Sequence, residues 1–188
     1  MVSKDELLFR QVFTLKDGAR VLLRPLTKDD RQALLDFFLP VSPEERRYFR
    51  HDVSDPNMVE SWITNLDYDK IFPLVAVVGN RIVGNTTLHL YDGPARHRAE
   101  VRIFLAKDFR QRGLGVRMLQ GLIELARRRS LYILEVFIVS DSTHIIRAFH
   151  NAGFETKCTI EDYFMLPDGG LKDINHMILR LRATEEEF

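Results

Sequence analysis

The stretch RAEVRIFLAKDFRQRGLGVRMLQGLIELARRR, residues 98–129, decides the fold. Its first eight residues, Arg98 to Leu105, read as a β-strand. From Leu114 the pattern changes: Leu114, Met118, Leu119, Leu122, Ile123, Leu125 and Ala126 recur at helical spacing, and Arg127, Arg128 and Arg129 complement the dipole at the helix end. The apolar run Leu131 to Val139 then predicts a second, buried strand. A strand-helix-strand crossover makes its two strands parallel neighbours or near neighbours. Ligands bind at the carboxyl ends of such strands, where the helix N-terminus also points. The loop after Leu105 is therefore the first place to look for a site.

On either side of this unit the texture is antiparallel. Val12 to Leu15 and Arg20 to Leu23 flank the turn pair Asp17-Gly18 and predict a hairpin. Thr27 with Asp29 and Asp30 caps a helix carrying Ala33, Leu34, Phe37 and Phe38. Ser42-Pro43-Glu44-Glu45 and Asp55-Pro56 each open a further helical piece. Ile71 to Val78 and Arg81 to Leu90, joined at Gly79-Asn80, supply strands before Arg98. After Val139 come a short helix from Thr143 to Asn151 and then a strand that starts at Gly153-Phe154 and pairs, around the turn Pro167-Asp168-Gly169-Gly170, with the last strand. The expected fold is a single-domain mixed α/β (α+β) layer, a mostly antiparallel central sheet with helices on both faces. The domain spans 12–182, with a lead at 1–11 and a tail at 183–188.

Composition narrows the function. The chain has 188 residues, 45% of them hydrophobic, which supplies a full core. Lys plus Arg and Asp plus Glu number 27 each, so no net positive field exists to condense on nucleic acid or anionic lipid. The longest apolar stretch is broken by Glu135 and falls short of the ~20 residues of a membrane helix. Lys4, Asp5, Glu6 and Arg10 spoil the N-terminus as an export signal. A single cysteine, Cys158, read as a half-buried filler, fits a cytoplasmic location. The six histidines show no metal-ligand spacing, so no metal is expected.

The loop Ala106 to Gly115 places Gly113 and Gly115 two apart at a helix start. Glycines there permit close backbone approach and leave successive N–H groups free, an anion cradle made of main chain. It lacks the Gly-Lys-Ser/Thr ending of a nucleotide P-loop, and Met118 stands where a dinucleotide fingerprint has its third glycine. The alternative is a loop whose glycines serve turning only.

Arg110-x-x-Gly113-x-Gly115 after a strand resembles the acyl-CoA pyrophosphate loop of the GNAT superfamily of N-acetyltransferases, and the order of elements agrees from about Val12 to Leu181. The opening from Gly18 to Leu26, with Ser42-Pro43-Glu44 and Tyr48-Phe49-Arg50, is similar to the bacterial protein-lysine acetyltransferases within it. The resemblance implies acetyl-CoA as co-substrate. Ile103, Phe104 and Leu105 would pair with its pantetheine arm, with an amide near Phe104 polarising the thioester carbonyl. Arg110 and the stretch Gln111, Arg112, Gly113, Leu114, Gly115 and Val116 would meet the pyrophosphate. Ser142 stands where relatives often carry an Asn that touches the cofactor, and Phe149 where many carry a proton-donating Tyr. Arg112, Arg117 and Arg147 are candidate partners for the 3′-phosphate, or solvated helix faces.

An amine attacks a thioester only when neutral, and a lysine amine near pKa 10.4 is mostly charged at neutral pH. A positioned base is worth about 100- to 10,000-fold. Glu100 is the expected base; otherwise it is an edge charge paired with Arg98 or Arg102, which share its face by period 2. Glu135 is the rival, unless a buried partner such as an arginine explains it. Trp62, Phe72 and Tyr48 line the acceptor side or pack in the core. The acceptor is expected to be a protein lysine, with a small amine as the alternative. The Ser142 and Phe149 departures keep open a non-catalytic acyl-CoA-binding module.

Overall fold

The computed structural model describes residues 2–181, so the tail read at 183–188 lies outside the described residues. In chain order the elements are α1 (Lys4–Leu7), β1 (Gln11–Thr14), β2 (Arg20–Pro25), α2 (Arg31–Phe38), α3 (Pro43–Arg46), α4 (Pro56–Thr64), β3 (Ile71–Val78), β4 (Arg81–Leu90), β5 (Arg98–Leu105), α5 (Leu114–Arg128), β6 (Ile133–Val139), α6 (Thr143–Asn151), β7 (Glu155–Met165) and β8 (Leu171–Arg180). The eight strands form one sheet in the order β1-β2-β3-β4-β5-β6-β8-β7. All neighbours are antiparallel except β5 and β6, the pair joined by the α5 crossover.

The two faces bury separate cores. On one, Val101 of β5 and Leu134, Val136 and Ile138 of β6 meet Leu114, Met118, Leu122 and Leu125 of α5 and Phe149 of α6. On the other, Leu34, Leu35 and Phe38 of α2 and Val59 and Ile63 of α4 pack over Val75 and Ile82, with Phe104 of β5 against them. α5 lies so close to β4 that a Cβ on Gly84 would stand 2.5 Å from the Met118 sulfur.

The structure revises several local expectations. Ser3 and Glu6 close a capping box on α1, and Phe9 is buried in the core, so the stretch read as a lead belongs to the fold. The box expected at Ser42 is not closed by its side chain, and α3 is one turn. Cys158 is exposed on β7 rather than half-buried. Arg129 does more than complement the α5 dipole: it pairs with Glu6 and donates to the Tyr68 carbonyl at 3.1 Å.

Candidate active site

The strands β5 and β6 pair only at Arg98↔Ile133, Ala99↔Leu134 and Glu100↔Glu135. Beyond that point they part, while β5 continues its ladder with β4 to Gly84↔Leu105 and β6 its ladder with β8 to Val139↔Ile174. The result is a fork in the sheet with Glu100 and Glu135 at its apex. Along an antiparallel pair, main-chain groups face the partner at every second residue. The Ala106 amide donates to Val83 across β4, and the Tyr91 amide to Arg98, so the even-numbered residues of β5 face β4. Ile103 and Leu105 therefore present their main chain to the gap. This corrects the expectation for Phe104, whose main chain is committed to Asn85 of β4 and is not free to pair with a ligand.

At the mouth of the fork, Gln111 (φ 58°) and Gly113 (φ 86°) both adopt left-handed backbone, which bends the loop onto α5. No side chain caps α5. Its first amides, on Leu114, Gly115 and Val116, have no intrahelical partner by helix geometry. The helix dipole adds roughly half a positive charge there. A Cβ on Gly115 would meet Leu105 Cδ1 at 3.3 Å, so a side chain at that position crowds the end of β5. The loop is braced on both sides: Arg81 grips Asp108 with two hydrogen bonds of 2.6 and 2.9 Å, and Arg112 pairs with Asp17 and donates to the Asp108 carbonyl at 3.0 Å. The Arg112 guanidinium holds the Asp17 carboxyl below its usual range.

Arg110 is placed otherwise than expected. Its guanidinium donates to the Leu105 carbonyl at 3.1 and 2.9 Å, pairs with Glu45 of α3 and lies over the Phe104 ring at 5.4 Å. It is a strut between the end of β5 and α3, not a group free to meet a phosphate. Ser142 sits at the start of α6, where its carbonyl accepts from the Ile145 and Ile146 amides and its hydroxyl caps nothing. Phe149 is buried in the core edge-on to Phe154, ring centroids 5.0 Å apart, a packing position rather than a proton donor's. Arg117 lies over the Phe13 ring on the outer side of α5.

On the opposite face the side chains at the apex form a charged row. Glu100 is buried, and its Oε1 accepts from Arg50 Nη2 at 2.7 Å and Arg102 Nε at 2.9 Å. The expected pairing with Arg102 is thus present, whereas Arg98 turns to Glu135 at 2.6 Å. His176 Nε2 of β8 lies 2.7 Å from the same Glu135 oxygen. Burial pushes the Glu135 carboxyl up, but the polar contacts of Tyr91, Arg98 and His176 outweigh it and hold it below the usual range. Glu135 is therefore an ionised group held through its Oε2, which accounts for an acid inside an apolar strand, while its Oε1 is buried without a hydrogen-bond partner.

Sequence reasoning missed two members of this face. Arg50, from the segment after α3, reaches Glu100 only through tertiary docking. His89 of β4, the register partner of Glu100, is half-buried; desolvation first and then the Arg102 charge lower its pKa to about 4, so the imidazole is neutral, with Nε2 2.9 Å from Thr87 Oγ1. Its place beside Glu100 was readable once β4 and β5 were paired. A groove of about 310 Å³ runs to Arg50, lined by Arg47, Tyr48, Phe49 and the β7 end from Phe164 to Leu166. Of the aromatic candidates, Tyr48 lines this groove, Phe72 is core, and Trp62 stands edge-on to Phe38 at 5.2 Å. No group of three or more His, Cys, Asp or Glu is placed to hold a metal among the described residues. No helix among them is long and apolar enough to cross a membrane.

A sheet forked between its parallel strands, with a main-chain anion cradle at the mouth and a carboxylate at the apex, has the layout of an acyl-CoA-dependent N-acetyltransferase. The model of the Acetyltransferase (GNAT) family matches residues 34–154, and the chain belongs to that family. It is 25% identical over 148 residues to an uncharacterized N-acetyltransferase, MJ1207, of Methanocaldococcus jannaschii, covering 77% of this chain and 65% of the length of that relative. Among solved structures it superposes on the GNAT domain of S. lividans PAT with a TM-score of 0.76 at 19% identity, covering 96% of this chain and 99% of that one. It also superposes on yncA of Salmonella typhimurium, solved with its cofactor acetyl-CoA, with a TM-score of 0.73 at 19% identity, covering 88% of this chain and 96% of that one.

Proposed function

We propose that the chain transfers an acetyl group from acetyl-CoA to a primary amine by direct attack, with a protein lysine as the preferred acceptor. The observation that carries this reading is the fork itself: an open strand edge that ends at an uncapped helix N-terminus on one side and at a buried carboxylate on the other. The edge suits an extended, amide-bearing arm, through the main chain of Ile103 and the amide of Leu105, whose carbonyl Arg110 already holds. The amides of the Gln111 to Val116 stretch suit a pyrophosphate. Ser142, at the start of α6, is a further hydroxyl for the same ligand.

When the C–N bond forms and the C–S bond breaks, negative charge grows on the carbonyl oxygen. The Ile103 and Leu105 amides are the donors facing the gap that can meet it. Glu100 takes the proton from the amine, directly or through one water, and the thiolate departs without help from Phe149. The lysine acceptor rests on the similarity of the N-terminal third to bacterial protein-lysine acetyltransferases. The double guanidinium grip on Glu100 favours a second reading, a non-catalytic acyl-CoA-binding module.

Glu100→Gln separates the two. Under the transferase reading the variant keeps its acetyl-CoA affinity and loses about 100- to 10,000-fold in kcat/KM. Unchanged transfer removes Glu100 from the role, and absence of turnover in the wild-type protein with every amine supports the module.

A further inference from the structure

On the transferase reading, the acceptor reaches Glu100 past Arg50, and the charges along that route are ordered in depth. The carboxylates lie beneath, the side chain of Glu100 8% exposed and that of Glu135 1%. The guanidiniums above them are open: Arg50 is 43% exposed, Arg98 34% and Arg102 31%. Two guanidiniums share Glu100, which leaves one positive charge uncompensated at the apex. Among the described residues no acid lines the groove, and Asp168, in the β7–β8 turn just past its Leu166 end, is paired with the groove's Arg47 at 2.8 Å. Glu45 is likewise taken, by Arg110. An acceptor rich in positive charge finds no unpaired carboxylate among these groups and faces arginines instead.

We propose that this mouth selects a primary amine that carries a carboxylate beside it, either a lysine flanked by acidic residues or a free amino acid. The inference rests on the acetyltransferase reading. An arginine fork binds a carboxylate through two parallel hydrogen bonds, so Arg50 is suited to exchange Glu100 for an acceptor carboxylate. That exchange does two things at once: it seats the acceptor, and it frees one of the donors now held by Glu100 Oε1, exposing that oxygen to the amine proton. A polyamine offers no such exchange and leaves Glu100 covered.

The test is steady-state kcat/KM with purified protein, saturating acetyl-CoA and acceptors of matched length. Three peptides carry one central lysine flanked by glutamates, by alanines or by lysines; free glutamate and spermidine are the small acceptors. The expected result is an advantage of about tenfold, one good ion pair's worth, for the glutamate-flanked peptide over the alanine-flanked one. The lysine-flanked peptide and spermidine fall lower still. Arg50→Gln erases the advantage while calorimetric acetyl-CoA affinity stays unchanged. Turnover of free glutamate at the rate of the acidic peptide assigns the small-molecule source; turnover of the peptide alone assigns a protein acceptor. Equal or better transfer to the alanine-flanked peptide, the lysine-flanked peptide or spermidine overturns the inference and leaves the transferase reading standing. Acetyl-CoA binding without transfer to any of the five overturns both.

Discussion

The two halves of the cleft are made of different material. The half that fits acetyl-CoA is main chain: the free edge of β5 at Ile103 and Leu105, and the first amides of α5 behind Gly113 and Gly115. The half that fits the acceptor is side chain, contributed by elements far apart in sequence: Arg50 after α3, His89 of β4, Glu100 and Arg102 of β5, Glu135 of β6 and His176 of β8. A main-chain site needs only a strand end, a turn and small residues, and it tolerates change in the side chains around it. A side-chain site depends on the exact partners present. On the proposed reading, the first half suits one constant ligand, and the second is where the acceptor can vary.

Removing a buried partner in the acceptor half should produce the largest structural cost. Glu135→Ala strands Arg98 and His176, and a loss of about 3 kcal/mol in unfolding free energy is expected from urea titration, the low end for breaking a buried pair because the Arg98 left behind is one third exposed. A loss within the noise of a surface substitution would mean the charged row is not a structural unit. The pH dependence of stability sharpens the same contrast. His89 titrates near its ordinary 6.5 when unfolded and at about 4 when folded, so the unfolded state binds more protons between these values. Stability therefore falls as pH drops from about 6.5 towards 4, by up to about 3 kcal/mol from this group. His89→Gln should flatten the melting temperature over that window; an unchanged slope would contradict the assignment.

The smallest effect is expected where the two halves meet. Arg110→Gln cuts the strut between the end of β5 and α3, and it should raise the acceptor KM several-fold while the acetyl-CoA Kd moves little. A loss of acetyl-CoA affinity of about tenfold or more, with acceptor KM unchanged, would return Arg110 to the phosphate.

The difference in material also explains what was legible in the sequence. The crossover, the eight strands and the loop with its two glycines follow from local periodicity and turn chemistry, and all stand where they were expected. The strand-to-helix loop was readable because Gly113 and Gly115 mark it in the sequence itself. The misplacement of Phe104 has a definite cause: which residues of β5 face the gap is set by its register with β4, and shifting that register by one residue exchanges the two sets. Arg110 was misplaced and Arg50 missed for a related reason, since a guanidinium on a long stem takes the partner that folding brings near. Period 2 correctly put Arg98, Glu100 and Arg102 on one face but could not say that Arg98 would turn to Glu135. Cys158 was misjudged because β7 is one of the two edge strands of the sheet, a place in the strand order that its own residues do not encode.

The central claim is that the uncapped start of α5 and the open edge of β5 together hold acetyl-CoA. The most direct measurement is a calorimetric titration of the wild-type protein and Gly115→Glu with acetyl-CoA, with NAD as the comparison ligand and circular dichroism to verify that both proteins fold. Saturable binding of acetyl-CoA but not NAD by the wild type, and at least about a hundredfold weaker binding by the variant, whose carboxylate adds bulk and like charge at the cradle, is the predicted result. Equal affinity of a folded Gly115→Glu for acetyl-CoA, or no binding by the wild type, would contradict it.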